Sequence, residues 1–426
     1  ADAAGVDPTS PTFTWDEMFK AAVGQNKKIA VQAQRYEGYM VWINALVLSA
    51  GGEVLKNVDA GRDAEPAMAS PAGDKAAEIV GTIARSSAAP ADLSNAAEEQ
   101  ARATFQSDAG MFMLNWPYVL AAARSIAQIL PPTPLLPVEI DGVRCWVKAE
   151  TLQPIGAFKI RGGWWRLSCL GEEERARGVV AVSSGNHAQG VAWAARKLGI
   201  KAAIVMPRNA PKVKLDATEA LGAEIILYDR PGEDRDEIAA REIDKRGAVL
   251  VHAFADPWVI EGQGSAGIEA TEQLGKQPPI ILACCGGGGL TAGLALACPD
   301  SAVVPVEPEG WDMVGQALAK DAIVQVAPDA PETICDALQP PATKPINLAV
   351  LQGRAQPGVT VSDEEVRTAQ RYAFAKLGLV VEPGGAAALA AALAGKLALK
   401  DDTVIMLTGR NVDPTAYAAT IAPDPA

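Results

Sequence analysis

The sequence predicts an α/β protein from about residue 121 onward, with mostly parallel sheets covered by helices, behind an α-rich segment of different character. Two patterns carry this expectation. Short apolar runs rich in Val, Ile and Ala recur between residues 143 and 409, and helical stretches separate most of them. Strands that alternate with helices cannot close as tight hairpins, so they build parallel sheets with both faces covered. Bulk is the third observation: 426 residues, 49% of them hydrophobic, are enough for two or three domains with a sizeable core.

Residues 1–120 come first. Thr14 and Glu17 have the spacing of a capping box, so a helix is expected to start there. A polar stretch rich in Pro and Ala follows at 57–74, and FMLNWPYVL (112–120) is apolar around a polar dipeptide. The expected strands then run in order: VRCWVKA (143–149), GVVAVSS (178–184), KAAIVMP (201–207), AEIILYD (223–229), AVLVHAF (248–254), PIILACC (279–285), AVVPVEP (302–308) and TVIMLTG (403–409). Ser362 and Glu365 form a second capping box, after which Val366, Ala369, Ala373 and Leu377 fall on one helical face. AAALAAALAG (386–395) is too short to span a bilayer and reads as a packed core helix. No internal repeat is present.

Charge and composition exclude several function classes. The net charge of −13 is spread along the chain, so there is no basic footprint, and neither nucleic acid nor a membrane is expected as a partner. The six cysteines form no C-x-x-C pair, which fits reduced thiols and a cytoplasmic location. Only two histidines occur, His187 and His252. That disfavours His-rich zinc sites and His-based triads. Acid–base chemistry must come from lysine, serine and carboxylates, or from a cofactor.

Four segments carry chemistry. QPIGAFKIRGG (153–163) sets one amine, Lys159, behind Phe158 and among glycines; a surface lysine needs no such setting. SSGNHAQG (183–190) follows a strand and opens a helix, so its turn amides can approach an anionic or planar ligand. CCGGGGLTAG (284–293) closes a strand with four glycines whose amides can wrap a phosphate at a helix start. It matches neither the G-x-x-x-x-G-K nor the G-x-G-x-x-G nucleotide pattern. MLTGRNVD (406–413) puts the Thr408 hydroxyl at a strand's carboxyl end, where open α/β sheets bind ligands. Singly, each has an ordinary explanation as a solvated lysine, a flexible loop or a common turn. Their joint occurrence in this order is much more specific.

Together these segments resemble the pyridoxal-phosphate enzymes of the tryptophan-synthase-β fold type, in particular the threonine/serine dehydratases and serine racemases. TPLL (133–136) and VEPGGAAALAA (381–391) match that family as well, and the resemblance spans about residues 121–421. It implies that Lys159 links to pyridoxal 5'-phosphate, that Phe158 packs beside the ring, and that Asn186 hydrogen-bonds the phenolic oxygen. Gly286, Gly287, Gly288 and Gly289 would hold the phosphate. Thr408 would meet the pyridine nitrogen, and a hydroxyl there, unlike a carboxylate, suits elimination better than a long-lived carbanion. Ser184 would be the acid–base group facing Lys159 across the ring. The freed lysine, its pKa lowered by partly buried cationic surroundings, would take the α-proton. The implied activity is deamination of L-threonine or L-serine, with a serine racemase or a hydroxyaspartate-type dehydratase as the alternative. The expected partner is a small β-hydroxy amino acid, and the expected assembly a homodimer.

Some relatives bind a divalent cation through a glutamate and a nearby aspartate. VEPEGWDM (306–313) offers Glu307, but Met313 stands where the aspartate belongs and Asp312 lies one position early, which weighs against a metal. The expected domains are 1–120 and a catalytic unit over 121–426, whose smaller domain covers about 178–255. Residues 1–120 resemble an internal piece of an extracellular sugar-type solute-binding protein, on TWDEMFKAA (14–22), RYEGYMVWINALVLSAGGEVL (35–55) and FMLNWPYVLAAA (112–123). Trp42, Asn115, Trp116 and Tyr118 could stack on a sugar or pack a core. The expectation is an incomplete fragment without activity of its own, and a sugar-binding transport component is the different-class alternative.

Overall fold

The structure, a computed structural model, describes residues 14–31, 33, 42–44, 46–47, 49–56, 65–91, 93–96, 110–114, 118–210, 212–229 and 232–422. Two compact units divide the chain, Ala1–Tyr118 and Val119–Ala426.

In the first unit the helix Trp15–Gly24 starts at the expected capping box, with Thr14 and Glu17 each bonding the other's backbone. Its strands are β1 (Lys28–Val31), β2 (Leu55–Lys56), β3 (Glu65–Pro66) and β4 (Gly110–Leu114). β1 pairs with β4 in parallel, and β2 with β3 antiparallel. A second helix, Pro71–Ala84, is capped by Ser70. The small core gathers Ile29, Trp42, Leu46 and Ile83, so the Trp42 side chain is spent on packing. Asn115, Trp116 and the Tyr118 side chain lie outside what the structure describes.

The second unit holds two sheets. Its strands are β5 (Leu135–Ile140), β6 (Val143–Ala149), β7 (Val179–Val182), β8 (Ala202–Pro207), β9 (Glu224–Tyr228), β10 (Val249–Leu250), β11 (Ile280–Cys284), β12 (Ala302–Pro308), β13 (Val359–Val361) and β14 (Thr403–Leu407). Six form one sheet in the order β13-β12-β11-β14-β6-β5, and four form the other in the order β10-β7-β8-β9. Every pairing is parallel except β5–β6. That hairpin turns on Asp141 and Gly142, both at positive φ, as a two-residue turn between twisted strands requires. β11 and β14 are buried along their whole length, which is why they read as unbroken apolar runs.

Two differences from the sequence reading have local causes. Of AVLVHAF only Val249–Leu250 is strand, because the His252 ring nitrogen Nδ1 accepts the N–H groups of Phe254 (3.3 Å) and Ala255 (2.9 Å) and turns the chain. The helix begun at Ser362 keeps its capping box but ends at Tyr372 and continues as a wider turn over Ala373–Leu377. The alanine-rich segment is the buried helix Pro383–Leu393.

Candidate active site

The four singled-out segments converge on one cavity of about 1040 Å³ within the second unit. Phe158, Lys159, Ser184, Asn186, Gly286, Gly287, Gly288, Gly289 and Thr408 all line it. They come from carboxyl ends of strands in both sheets, where an α/β fold leaves helix starts and loops to face a ligand.

Lys159 opens the helix Lys159–Ser168. Just before it the chain turns at Gly156 (φ 74°). The Phe158 N–H donates to the Thr408 carbonyl (3.0 Å) and the Arg410 N–H to the Gly156 carbonyl (2.8 Å), which lays the lysine segment against the Thr408 segment. Lys159 Nζ donates to the Ala253 carbonyl at 2.6 Å and sits 5.2 Å from the centre of the Phe158 ring. Burial pushes its amine down from 10.5 to about 8. The cause is desolvation and not the cationic surroundings expected from the sequence. The glycines after it serve packing: a Cβ on Gly162 would meet the Val259 carbonyl and Gln263, and one on Gly163 the backbone of Gly190.

The glycine segment runs from β11 into the helix Gly289–Ala297. Gly288 takes φ 91°, and a Cβ on Gly287 would overlap the Phe254 ring. The bare amides at this helix start form a cradle with the polarity a phosphate needs. Thr408 is buried at the end of β14. With an amine of lowered pKa, a glycine cradle and a buried hydroxyl on one cavity, the side chains fit pyridoxal phosphate.

The loop Ser183–Gly185 precedes the helix Asn186–Leu198. Ser183, and not Ser184, steadies this turn by accepting the Gly185 N–H at 3.2 Å, while Ser184 lines the cavity. Asn186 donates from Nδ2 to Glu382 Oε1 (2.5 Å) and accepts at Oδ1 from Asn411 Nδ2 (2.7 Å). Both histidines line the cavity. Burial holds His187 at about 3 and His252 at about 4, so both are neutral near pH 7.

Glu307 has other work. Its buried carboxyl accepts the N–H groups of Val314 (2.9 Å) and Gly315 (2.8 Å) at the start of the helix Met313–Lys320. Desolvation raises it to about 8. Asp312 is the charged group that acts on it, and among the described residues no group of three or more His, Cys, Asp or Glu side chains could hold a metal ion.

Three site features escaped the sequence reading. Glu382, the acid of VEPGG, is buried at the cavity and raised to about 7 by desolvation. Lys214 pairs with Asp336 at 2.5 Å on the cavity wall. The Ala253 carbonyl holds the lysine. Only Glu382 left a signal, as an acid directly before a Pro-Gly-Gly helix start.

Known proteins share this fold. The family model described as "Pyridoxal-phosphate dependent enzyme" matches residues 126–409. A serine racemase of Schizosaccharomyces pombe is 37% identical over 309 residues, covering 70% of this chain and 95% of its own. An L-threo-3-hydroxyaspartate ammonia-lyase of Saccharomyces cerevisiae is 36% identical, covering 71% and 95%. Among solved structures, a serine racemase from maize aligns with a TM-score of 0.66 at 32% identity, over 71% of this chain and 95% of its own.

Proposed function

This chain belongs to the family of pyridoxal-phosphate dependent enzymes, within its ammonia-lyases and racemases, and from that premise we propose that it deaminates L-threonine or L-serine to 2-oxobutanoate or pyruvate. The observation that carries this reading is the Lys159 amine, lowered to about 8 in a cavity it shares with the glycine cradle and Ser184. When bound, pyridoxal phosphate holds the substrate through its amine and draws electrons from the α-carbon. The part of Lys159 that is neutral takes the α-proton, a task suited to a base with a pKa near the working pH. The β-hydroxyl then leaves with its bonding electrons and takes up a proton, which the now protonated Lys159 can return, to depart as water; the remaining unsaturated amine adds water and gives the 2-oxo acid and ammonia. The histidines, neutral near pH 7, are poor proton donors here, which leaves lysine, serine and Glu382 as the groups that move or hold protons.

A second reading is racemisation. It is favoured by Ser184, whose hydroxyl is not the one that steadies its own turn and which lines the cavity. A hydroxyl on the face away from Lys159 returns the α-proton with the opposite hand. The hydroxyaspartate ammonia-lyase relative keeps a substrate with a second carboxylate as a further alternative.

One experiment separates these. The holoenzyme is incubated with L-threonine, L-serine and L-threo-3-hydroxyaspartate, and keto acid and product chirality are measured together. Keto acid from threonine or serine is the expected result. Turnover of hydroxyaspartate alone, or D-serine without pyruvate, overturns it in favour of an alternative. In Ser184→Ala any racemisation should fall by about 10²–10⁴-fold, while elimination from the L-enantiomer falls much less. Equal loss of both would remove Ser184 as a second-face group.

For the first unit we propose no chemistry. Its likeness to a solute-binding fragment rests on sequence segments alone, and Trp42 is taken up by its core. Six cysteines with no disulfide suit a reducing, cytoplasmic setting. A homodimer is the assembly we propose, to be read by light scattering.

A further inference from the structure

We infer that Asn411 and Glu382 are positioning residues for Asn186, Asn411 by fixing which end of its amide faces the cavity and Glu382 by holding the N–H end that results. The inference rests on the reading of Asn186 as the group that meets the ligand's phenolic oxygen.

A main-chain carbonyl can only accept a hydrogen bond. Asn411 Nδ2 lies 3.0 Å from the Ile155 carbonyl oxygen, so the amino end of Asn411 must point there. The same nitrogen lies 2.7 Å from the nearer end of the Asn186 amide. A donor faces that end, so it must be oxygen. The amino end of Asn186 is then forced the other way, where Glu382 Oε1 accepts from it at 2.5 Å. The orientation of an amide, which oxygen and nitrogen alone do not reveal, is thus set by a fixed acceptor two hydrogen bonds away. Oδ1 is thereby turned to Asn411, and of the two N–H groups on Nδ2 one is taken by Glu382, which leaves the other as the donor a phenolic oxygen requires.

Glu382 is itself held. Its N–H donates to the Gly409 carbonyl at 2.9 Å. A Cβ on Gly409 would collide with the Glu382 carboxyl and come within 3.1 Å of Asn186 Nδ2, so the glycine is what lets the three groups meet. The charged groups acting on the Glu382 carboxyl are Lys214 and Asp336.

Such an arrangement is non-additive. Asn411→Ala and Asn186→Ala should each weaken binding of pyridoxal phosphate, by about 10-fold or more for the loss of a bond to a charged oxygen. Both should shift the absorbance band of the bound cofactor in the same direction. The double variant should bind no more than about threefold worse than Asn186→Ala alone, because Asn411 acts through Asn186. Should the alanine variant not fold, Asn411→Asp keeps the volume and removes both donated bonds. Glu382→Gln keeps an acceptor and should bind within about threefold of the parent, whereas Glu382→Leu should resemble Asn186→Ala. The measurements are equilibrium dialysis and absorbance spectra with pyridoxal phosphate. Losses that multiply in the double variant, or equal losses in Glu382→Gln and Glu382→Leu, overturn the inference while leaving the role of Asn186 intact. Parent-like affinity in Asn186→Ala overturns both.

Discussion

At the scale of single residues the decisive quantity is the proton on Lys159. Desolvation lowers its amine from 10.5 to about 8, so about one molecule in ten carries the neutral, nucleophilic form at pH 7. The sign of the pH dependence follows. Between about 8 and 10.5 the unfolded chain binds this proton and the folded one does not. The cost of burying this amine is therefore present in full below about 8 and is relieved as pH rises through that window. Capture of pyridoxal phosphate by cofactor-free protein should accelerate with pH and level off above about 8. Stopped-flow absorbance across about pH 6–10 checks this; a rate still climbing steeply at the upper end would mean an ordinary, solvated lysine. Lys159, Ser184 and Asn186 were legible because each sits in a contiguous motif. Glu382 and Asn411 were not assigned roles, because they meet Asn186 across sequence separations of 196 and 225 residues.

At the scale of elements, glycine does two different jobs. In the helices Lys159–Ser168, Asn186–Leu198 and Pro257–Leu274 it permits backbone contact: Gly162 faces Gly262, and Gly163 faces Gly190. These contacts pin the helix that begins with the lysine. In the cradle, Gly287 leaves room for the Phe254 ring. Gly287→Ala should therefore destabilise the protein by about 1–3 kcal/mol through overpacking, and Phe254→Leu in the same chain should restore part of that loss. Denaturant unfolding of the single and double variants gives the answer; additive losses would show that the two do not share the space. The glycine run was visible as a loop in the sequence, yet neither its aromatic neighbour nor the packing role of Gly162 and Gly163 could be read there.

At the scale of the whole molecule, the candidate active site lies in the second unit. The family match begins at residue 126, and every cavity residue lies beyond 157. The second unit begins at Val119, two residues before the boundary expected from the sequence. Val119 is buried and abuts Gly264, while Ala122 and Ile126 pack with Ile155 and Ile160 beside the lysine helix. A chain beginning at Tyr118 keeps this packing and should bind pyridoxal phosphate and turn over substrate like the full chain, within about threefold. A soluble truncated protein without the cofactor's absorbance would show that the first unit is needed.

By itself the sequence determined the α/β class, the alternation that makes the sheets parallel, and the segments that carry lysine, glycine cradle and hydroxyls. These are local matters: apolar period, turn chemistry and motif spacing act over a few residues and survive without knowledge of the fold. It also determined the residue types available, with two histidines for 426 residues. Only the tertiary structure decided what those residues meet. It set the Glu307 carboxyl against the backbone N–H groups of a helix start, and it placed Glu382 and Asn411 on either side of Asn186. It also turned the lowered pKa of Lys159 from a matter of neighbouring charge into one of burial. Each of these depends on groups far apart in the chain and on the exclusion of water, and none is written in the order of residues.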